Sequence, residues 1–413
     1  MFKMIATYII FWVLIQLLVE INCQMIPFKP KQRYLHTATL INNKLYILGG
    51  FYLNHKLSGN EFFYLDFSVP FNTQNLLWQD LSSINIVPPH GAAATVKGGA
   101  NNNTLFLYGG VSKRIIMELV YAYDPQENAW STPTIVGLNT IRKRNLIGIM
   151  DYNGKMYLWS GLVFDNNPKG KLTLADDMLI LDTINLNWGK GSSVGAPTPR
   201  FNYAAVMLAN NSIIYLGGYG NKELELSEVY IYDTINDSWD IKETSGKIPS
   251  NRNGFSAVLG LDGQKIIIFG GTATDAENSL CILNLTDFEW YIPKISGQIP
   301  KGRMYHQANV IGNYMVISFG MGYDQLTESD ILLLDINNND EYTWTNDFIT
   351  LPSSSSVPSP TVTQLSPPTN SPILQQQSVA VGTILGSLFD DSPQNNSDDN
   401  GVQEQPEKWN LKF

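Results

Sequence analysis

The sequence predicts an all-β fold: six repeated units, each a small four-stranded antiparallel sheet. Three observations predict it. First, a short apolar run ending in a glycine pair recurs at Gly49-Gly50, Gly109-Gly110, Gly217-Gly218 and Gly270-Gly271, with worn copies at Ser160-Gly161 and Phe319-Gly320. Second, the copies stand about 50–60 residues apart, a period that marks propellers and arrays. Third, one tryptophan falls in each period, at Trp78, Trp130, Trp188, Trp239, Trp290 and Trp344, which places six of the chain's nine. The 413 residues are 44% hydrophobic and 15% charged, enough apolar material for a large shared core. The net charge of −10 comes without a basic stripe, so nucleic acid is not an expected partner.

In chain order, residues 1–23 have the pattern of a secretory signal peptide. Lys3 supplies the positive start, and 5–19 is a nearly unbroken apolar run, shorter than the roughly 20 residues a membrane span needs. Retention of this segment as an anchor is the alternative, which leaves membrane association open. In either case the chain is expected to be secreted or displayed at the cell surface. Cleavage after Cys23 leaves Cys281 alone in the run Leu280-Cys281-Ile282-Leu283, where it is expected to pack in a core strand rather than act as a nucleophile. Five Asn-x-Ser/Thr sequons, at Asn102, Asn210, Asn236, Asn284 and Asn395, are the possible N-glycosylation sites.

The fourth unit is the clearest. Arg200 opens it, and 201–208 is an apolar first strand. Asn210-Asn211 makes a turn, and 213–216 is a second strand running into Gly217-Gly218. A third strand at 228–233 ends in Asp233, and a polar turn leads to a fourth beginning at Trp239. The other units align with it, opening at Arg33, near His90, and at Arg144, Arg252 and Arg303. Their third strands end at Asp66, Asp124, Asp182, Asn284 and Asp335.

An opening Arg, a Gly-Gly pair, a Tyr-x-x-Asp-like strand end and a Trp, six times in register, resemble the kelch repeat over residues 33–350. That resemblance implies a six-bladed β-propeller, one four-stranded blade per repeat, occupying residues 24–350. The residue types have structural reasons. A Gly pair after a strand permits φ > 0 and close backbone approach. A Trp fills the wedge between blades. The strand-end Asp accepts backbone N–H bonds in a turn. The opening Arg is suited to ion pairs or carbonyl contacts between blades. All these repeat residues are therefore expected to be scaffold. The second unit departs from the pattern with Pro88-Pro89-His90-Gly91 in place of an opening Arg. Each blade is expected from contiguous chain, with 24–32 able to add or swap a ring-closing strand.

Residues 351–413 form a Ser/Pro/Gln-rich tail expected to be disordered, with a short apolar segment at 378–389 too brief to span a bilayer. No catalytic constellation is visible. The four histidines, His36, His55, His90 and His306, show no metal-ligand spacing, and there is no nucleophile elbow or phosphate loop. Catalytic, cofactor and metal residues are therefore expected to be none. Galactose oxidase shares a kelch-type propeller, but its copper site needs a Cys-linked Tyr, and Cys281 sits in a blade strand. The expected function is recognition of a protein partner by loops on one face. A carbohydrate-binding or sugar-modifying channel, galactose-oxidase-like or of the kelch-type sugar isomerases, is the alternative. Tyr or Trp with Asp or Asn at the channel mouth would favour sugar, and a broad apolar loop face would favour protein.

Overall fold

The computed structural model describes residues 27–350 apart from 114–116, 138, 140, 165–171, 273–278 and 324–327, together with the helical residues Ile5, Tyr8, Phe11 and Trp12. Most of 1–23, the tail from 351 and Asn395 lie outside the described residues. Among the described residues, no helix is long and apolar enough to cross a membrane.

The expected strands are present. Each blade is an antiparallel sheet whose strands follow one another in the chain. In the fourth, Ala204–Met207, Ser212–Leu216, Glu228–Asp233 and Ser238–Glu243 pair in that order. The second strand is the most apolar and most buried of each blade, because it is paired on both edges and packed on both faces. The six first strands are Thr37–Ile41, Ala94–Gly98, Ile149–Met150, Ala204–Met207, Ser256–Leu259 and Gln307–Ile311. Each lies against the next, and the sixth lies against the first, so the blades form a closed ring around a central axis.

Two blades exceed the four-stranded expectation. Ser245–Gly246 runs parallel to Glu289–Tyr291, and Lys294–Gly297 runs parallel to Glu341–Thr345. In both, the chain leaving one blade lies along the outer edge of the next and occupies hydrogen-bonding groups that an open edge leaves unpaired.

The apolar core lies between blades rather than at the axis. One cluster joins Leu45, Phe63 and Trp78 of the first blade to Val316, Phe319 and Leu333 of the sixth. Another joins Ile214 and Leu216 to Ile266, Cys281 and Trp290 across the fourth and fifth blades. The ring is sealed from its C-terminal side. Asp347–Phe348 pairs with Phe71–Asn72, and Thr73 N–H donates to Asn346 O at 2.8 Å. The Phe348 ring packs on Phe67, Phe71 and Tyr314. Residues 27–32 add no strand; Phe28 packs on Phe63 and Gln32 Nε2 donates to Tyr323 O.

Strand direction gives the propeller two different ends. The first-to-second and third-to-fourth turns share one end, the turn end, where Thr234 N–H and Oγ1 both donate to Asn211 O. The second-to-third loops and the connections between blades share the other, the mouth end.

Candidate binding site at the channel mouth

The mouth is built on the residue that opens each blade. Its carbonyl accepts a hydrogen bond from the second glycine position of the preceding blade: Gly50 to His90, Gly110 to Lys143, Gly161 to Arg200, Gly218 to Arg252, Gly271 to Arg303 and Gly320 to Arg33, all at 2.8–3.1 Å. This series corrects the third unit. Lys143, not Arg144, holds the opening position, because Gly110 bonds to its carbonyl and its side chain takes the corresponding place. Lys143 Nζ donates to Leu158 O and Asp177 O and pairs with Asp177 Oδ1 at 2.6 Å. Arg144, also buried, instead pairs backbone to backbone with Leu162. His90 opens the second blade, as the sequence indicated.

Five of the six opening side chains are buried cations, His90 being the exception, and their hydrogen bonds lie mainly within their own blade, while Arg33 also stands 5.6 Å from the Phe319 ring of the sixth blade. Arg33, Arg200 and Arg252 donate through one guanidinium nitrogen to Gly49, Gly217 and Gly270 O, and through Nε to the carbonyl two residues earlier. Arg303 donates to Phe319 O and Ser329 O and stacks 3.7 Å from the Tyr323 ring centroid. Arg33 pairs with Glu61. Burial lowers the pKa of each of Arg33, Arg200 and Arg303, and the neighbouring Glu or Tyr groups oppose the shift. The glycines permit this crowding. Gly109 and Gly270 stand at φ +72° and +69°, and a Cβ there would lie 2.3 and 2.1 Å from the carbonyl oxygens of Lys143 and Arg303.

Two residues beyond each opener the chain enters the inner strand, and there the six blades join. Leu35 N–H donates to Tyr305 O, Tyr305 to Gly254, Gly254 to Asn202, Asn202 to Asn145, Asn145 to Ala92, and Ala92 to Leu35, all at 2.7–2.9 Å. The six bonds close a circle around the mouth. All six residues lie at φ between +50° and +65°. Asn145, Asn202 and Gly254 are types that tolerate this region, and they were the only sequence sign of the circle; Leu35, Ala92 and Tyr305 give none.

A polar and aromatic cluster surrounds the circle, half-buried at Phe51, Asn145, Asn202, Glu223 and Tyr305 and buried at Tyr34 and Asn253. Asn145 Nδ2 donates to Asn202 Oδ1 at 3.0 Å, and Asn253 Nδ2 donates to Glu223 Oε1 at 2.9 Å. Tyr305 OH reaches Asn253 Oδ1 at 3.4 Å. Across the seam between sixth and first blades, the Tyr305 and Tyr34 rings stand 6.1 Å apart, with Phe51 stacked on Tyr34. Tyr34 OH bonds to Nδ1 of His55 at 2.7 Å, on an exposed loop. Burial holds the Tyr34 phenol up at about 12, and burial with the nearby Glu223 charge raises that of Tyr305, so both remain donors. The cluster thus offers flat aromatic faces, amides, two phenols and one carboxylate, a surface suited to hydrogen-bonding recognition.

The other sequence-singled residues lie elsewhere. Trp78 just precedes a fourth strand, Trp130, Trp188, Trp239 and Trp290 are second in theirs and Trp344 is near the end of its own, and each packs on the preceding blade. Trp78 meets Phe319, Trp130 meets Phe62, Trp188 meets Tyr108, Trp239 meets Trp159 and Trp344 meets Phe269. Trp290 donates Nε1–H to Leu226 O. His36 and His306 are buried against Ser318 and Ser256 hydroxyls, and His90 Nδ1 lies 2.8 Å from Pro88 O. Burial, with a nearby arginine, lowers all three: His36 well below its usual value, His90 to about 4 and His306 to about 3. Cys281 is buried. Among the described residues, no group of three His, Cys, Asp or Glu side chains is placed to hold a metal ion.

A family model described as the KLHDC2/KLHL20/DRC7 Kelch-repeats domain matches residues 35–271 and 205–364. The chain belongs to the kelch-repeat family. Among curated proteins, this kelch chain is 24% identical over 320 residues to Acyl-CoA-binding domain-containing protein 4 of Arabidopsis thaliana, covering 74% of this chain and 45% of that protein. It is 26% identical over 265 residues to Host cell factor 1 of Homo sapiens, covering 59% of this chain and 12% of that one. The kelch chain therefore spans less than half the length of either relative. Among solved structures, one titled "Structure of YjhT" superposes with a TM-score of 0.58 at 16% identity, covering 78% of this chain and 99% of that one, a likeness of fold.

Proposed function

We propose that this kelch propeller is a non-catalytic interaction module, secreted or displayed at the cell surface, that binds a protein partner through its mouth end. The observation that carries the reading is the unlike construction of the two ends. At the turn end the first and second strands are joined by tight turns such as 42–43 and 312–313; at the mouth end long, unequal loops such as 49–61 and 217–227 stand around the aromatic and polar cluster. Variable loops on a rigid frame are where binding surfaces are built. Membership of the kelch family supports an interaction role, and the sequence pattern of 1–23 supports the extracellular placement.

Exposed apolar and aromatic side chains do not select the end. Leu53, Ile86, Ile248 and Ile299 stand on the mouth end, and Tyr152, Ile184, Ile235 and Leu261 on the turn end. The test is binding of the full chain to an array of extracellular domains, repeated with Leu53→Ser and Glu223→Gln at the mouth and with Tyr152→Ser and Ile235→Ser at the turns. Loss of a reproducible signal with the mouth variants alone supports the reading. Loss with the turn variants alone overturns it.

A second reading, carbohydrate in the mouth, is favoured by Tyr34, Phe51 and Tyr305 standing beside Asn202, Asn253 and Glu223. A glycan array separates the two: binding to one sugar class, abolished by Glu223→Gln, establishes the sugar reading. Metal content measured on the same sample tests the oxidase alternative, which bound copper would revive.

A further inference from the structure

The sequons are scattered through the sequence, yet the fold gathers them. Asn102 lies in the turn before Thr104–Tyr108, and Asn210 lies in the turn before Ser212–Leu216. Asn236 lies in the turn between Glu228–Asp233 and Ser238–Glu243, and Asn284 ends Leu280–Asn284. The first two are first-to-second turns and the others third-to-fourth turns, and in an antiparallel blade both kinds stand at one end. The hydrogen bonds from Thr234 to Asn211 O, and from Leu285 N–H to Gln264 O, tie the two kinds of turn together. All four sequons within the propeller are therefore at the turn end.

Asparagine itself is not confined there. Asn54, Asn60, Asn221 and Asn251 are exposed at the mouth end, and none is followed by the Ser or Thr that a sequon needs. Asn102, Asn210 and Asn236 are exposed, so the folded blades leave room for a bulky substituent. The Asn236 Nδ2 bond to Asp233 Oδ2 survives modification, because a glycosylated amide keeps one N–H. Asn284 shares the end but is half-buried, with its Oδ1 accepting from Thr286 N–H.

We infer that Asn102, Asn210 and Asn236 carry N-linked glycans that coat the turn end and leave the mouth end bare for its partner. The inference rests on the secretory placement proposed above. It deepens that reading, because a glycan layer would block large partners at the turn end while the loops at the mouth stay accessible.

The test uses the full chain expressed in a eukaryotic secretory cell, with site occupancy mapped by mass spectrometry after enzymatic release of glycans in heavy-oxygen water. The variant Lys56→Thr serves as the control, since it makes Asn54-His55 the start of a sequon on an exposed mouth loop. The expected result is secreted wild-type protein with glycan on the majority of chains at each of Asn102, Asn210 and Asn236. Glycan on Asn54 of the control with the three native sites bare overturns the inference while secretion stands. Chain retained in the cell and bare at every site, Asn54 included, overturns the secretory placement and the inference together.

Discussion

The mouth end and the turn end of the propeller are made by the same strands, yet they differ in every feature that joins those strands. The turn end is closed mostly by tight turns, the long 67–78 connection of the first blade excepted, by strand-end carboxylates that accept backbone N–H groups, and by tryptophans wedged between blades. The mouth end is closed by a circle of backbone hydrogen bonds, buried cations and buried neutral histidines, with long loops above. Both ends bury apolar surface and some polar groups, but the buried cations and imidazoles, each needing a partner, sit at the mouth end. Stability at the turn end should therefore depend on volume, and at the mouth end on hydrogen bonding and protonation.

The largest effect should come from removing a wedge. Trp290 is fully buried between the fourth and fifth blades. Trp290→Ala is expected to destabilise the protein by about 4 kcal/mol in urea unfolding, and the half-buried Trp188→Ala by clearly less. Equal losses would remove the distinction between sealed and open wedges.

Acid comes next, and it should act on the mouth end. His90 and His306 are held neutral at about 4 and about 3, against an ordinary value of 6.5. Below pH 6.5 the unfolded chain takes up protons that the native chain refuses, so stability falls as pH falls. The loss levels off near pH 4 for His90 and near pH 3 for His306. At pH 4.5 the deficit from His306 is about 3 kcal/mol. His306→Gln should flatten the dependence of the unfolding midpoint on pH between 6.5 and 4.5. An unchanged slope would show that this buried imidazole is not the group that responds.

Smaller effects test the circle. Gly254 stands at φ +65°, and an added Cβ would lie 2.6 Å from the Tyr305 ring. Gly254→Ala should destabilise by roughly 1–2 kcal/mol, whereas Ala92→Gly, at φ +55°, should be neutral or stabilise by up to about 1 kcal/mol. Opposite signs at equivalent positions are the signature of backbone strain; the same sign would mean that packing governs both. Smallest of all, Leu53→Ser and Glu223→Gln should shift unfolding by less than about 0.5 kcal/mol while changing partner binding. A large loss of stability there would make those loops part of the frame.

The scaffold was legible because it repeats. The six Gly, Trp and strand-end positions recur in register, and six weak signals of one period make a strong one. The third unit shows the limit of that legibility: Lys143 and Arg144 are both basic, and only the weak match of Asn145 with Asn202, each two residues past an opener, favours Lys143. Only the carbonyl that Gly110 reaches shows which one opens the blade. The mouth cluster was not legible for a related reason. Tyr34, Phe51, Glu223, Asn253 and Tyr305 come from four blades and do not repeat, so no period marks them.

The sequence by itself determined the unit, the number of units and the strand order within each, since these follow from local alternation, turn residues and a repeat that any reader of the chain can count. The tertiary structure alone decided how the ring closes, which residues meet at its mouth, and that scattered sequons share one end. Those outcomes depend on bringing the first and sixth blades together and on the alternating direction of paired strands. Both are relations between segments far apart in the chain, and a one-dimensional pattern carries no record of them.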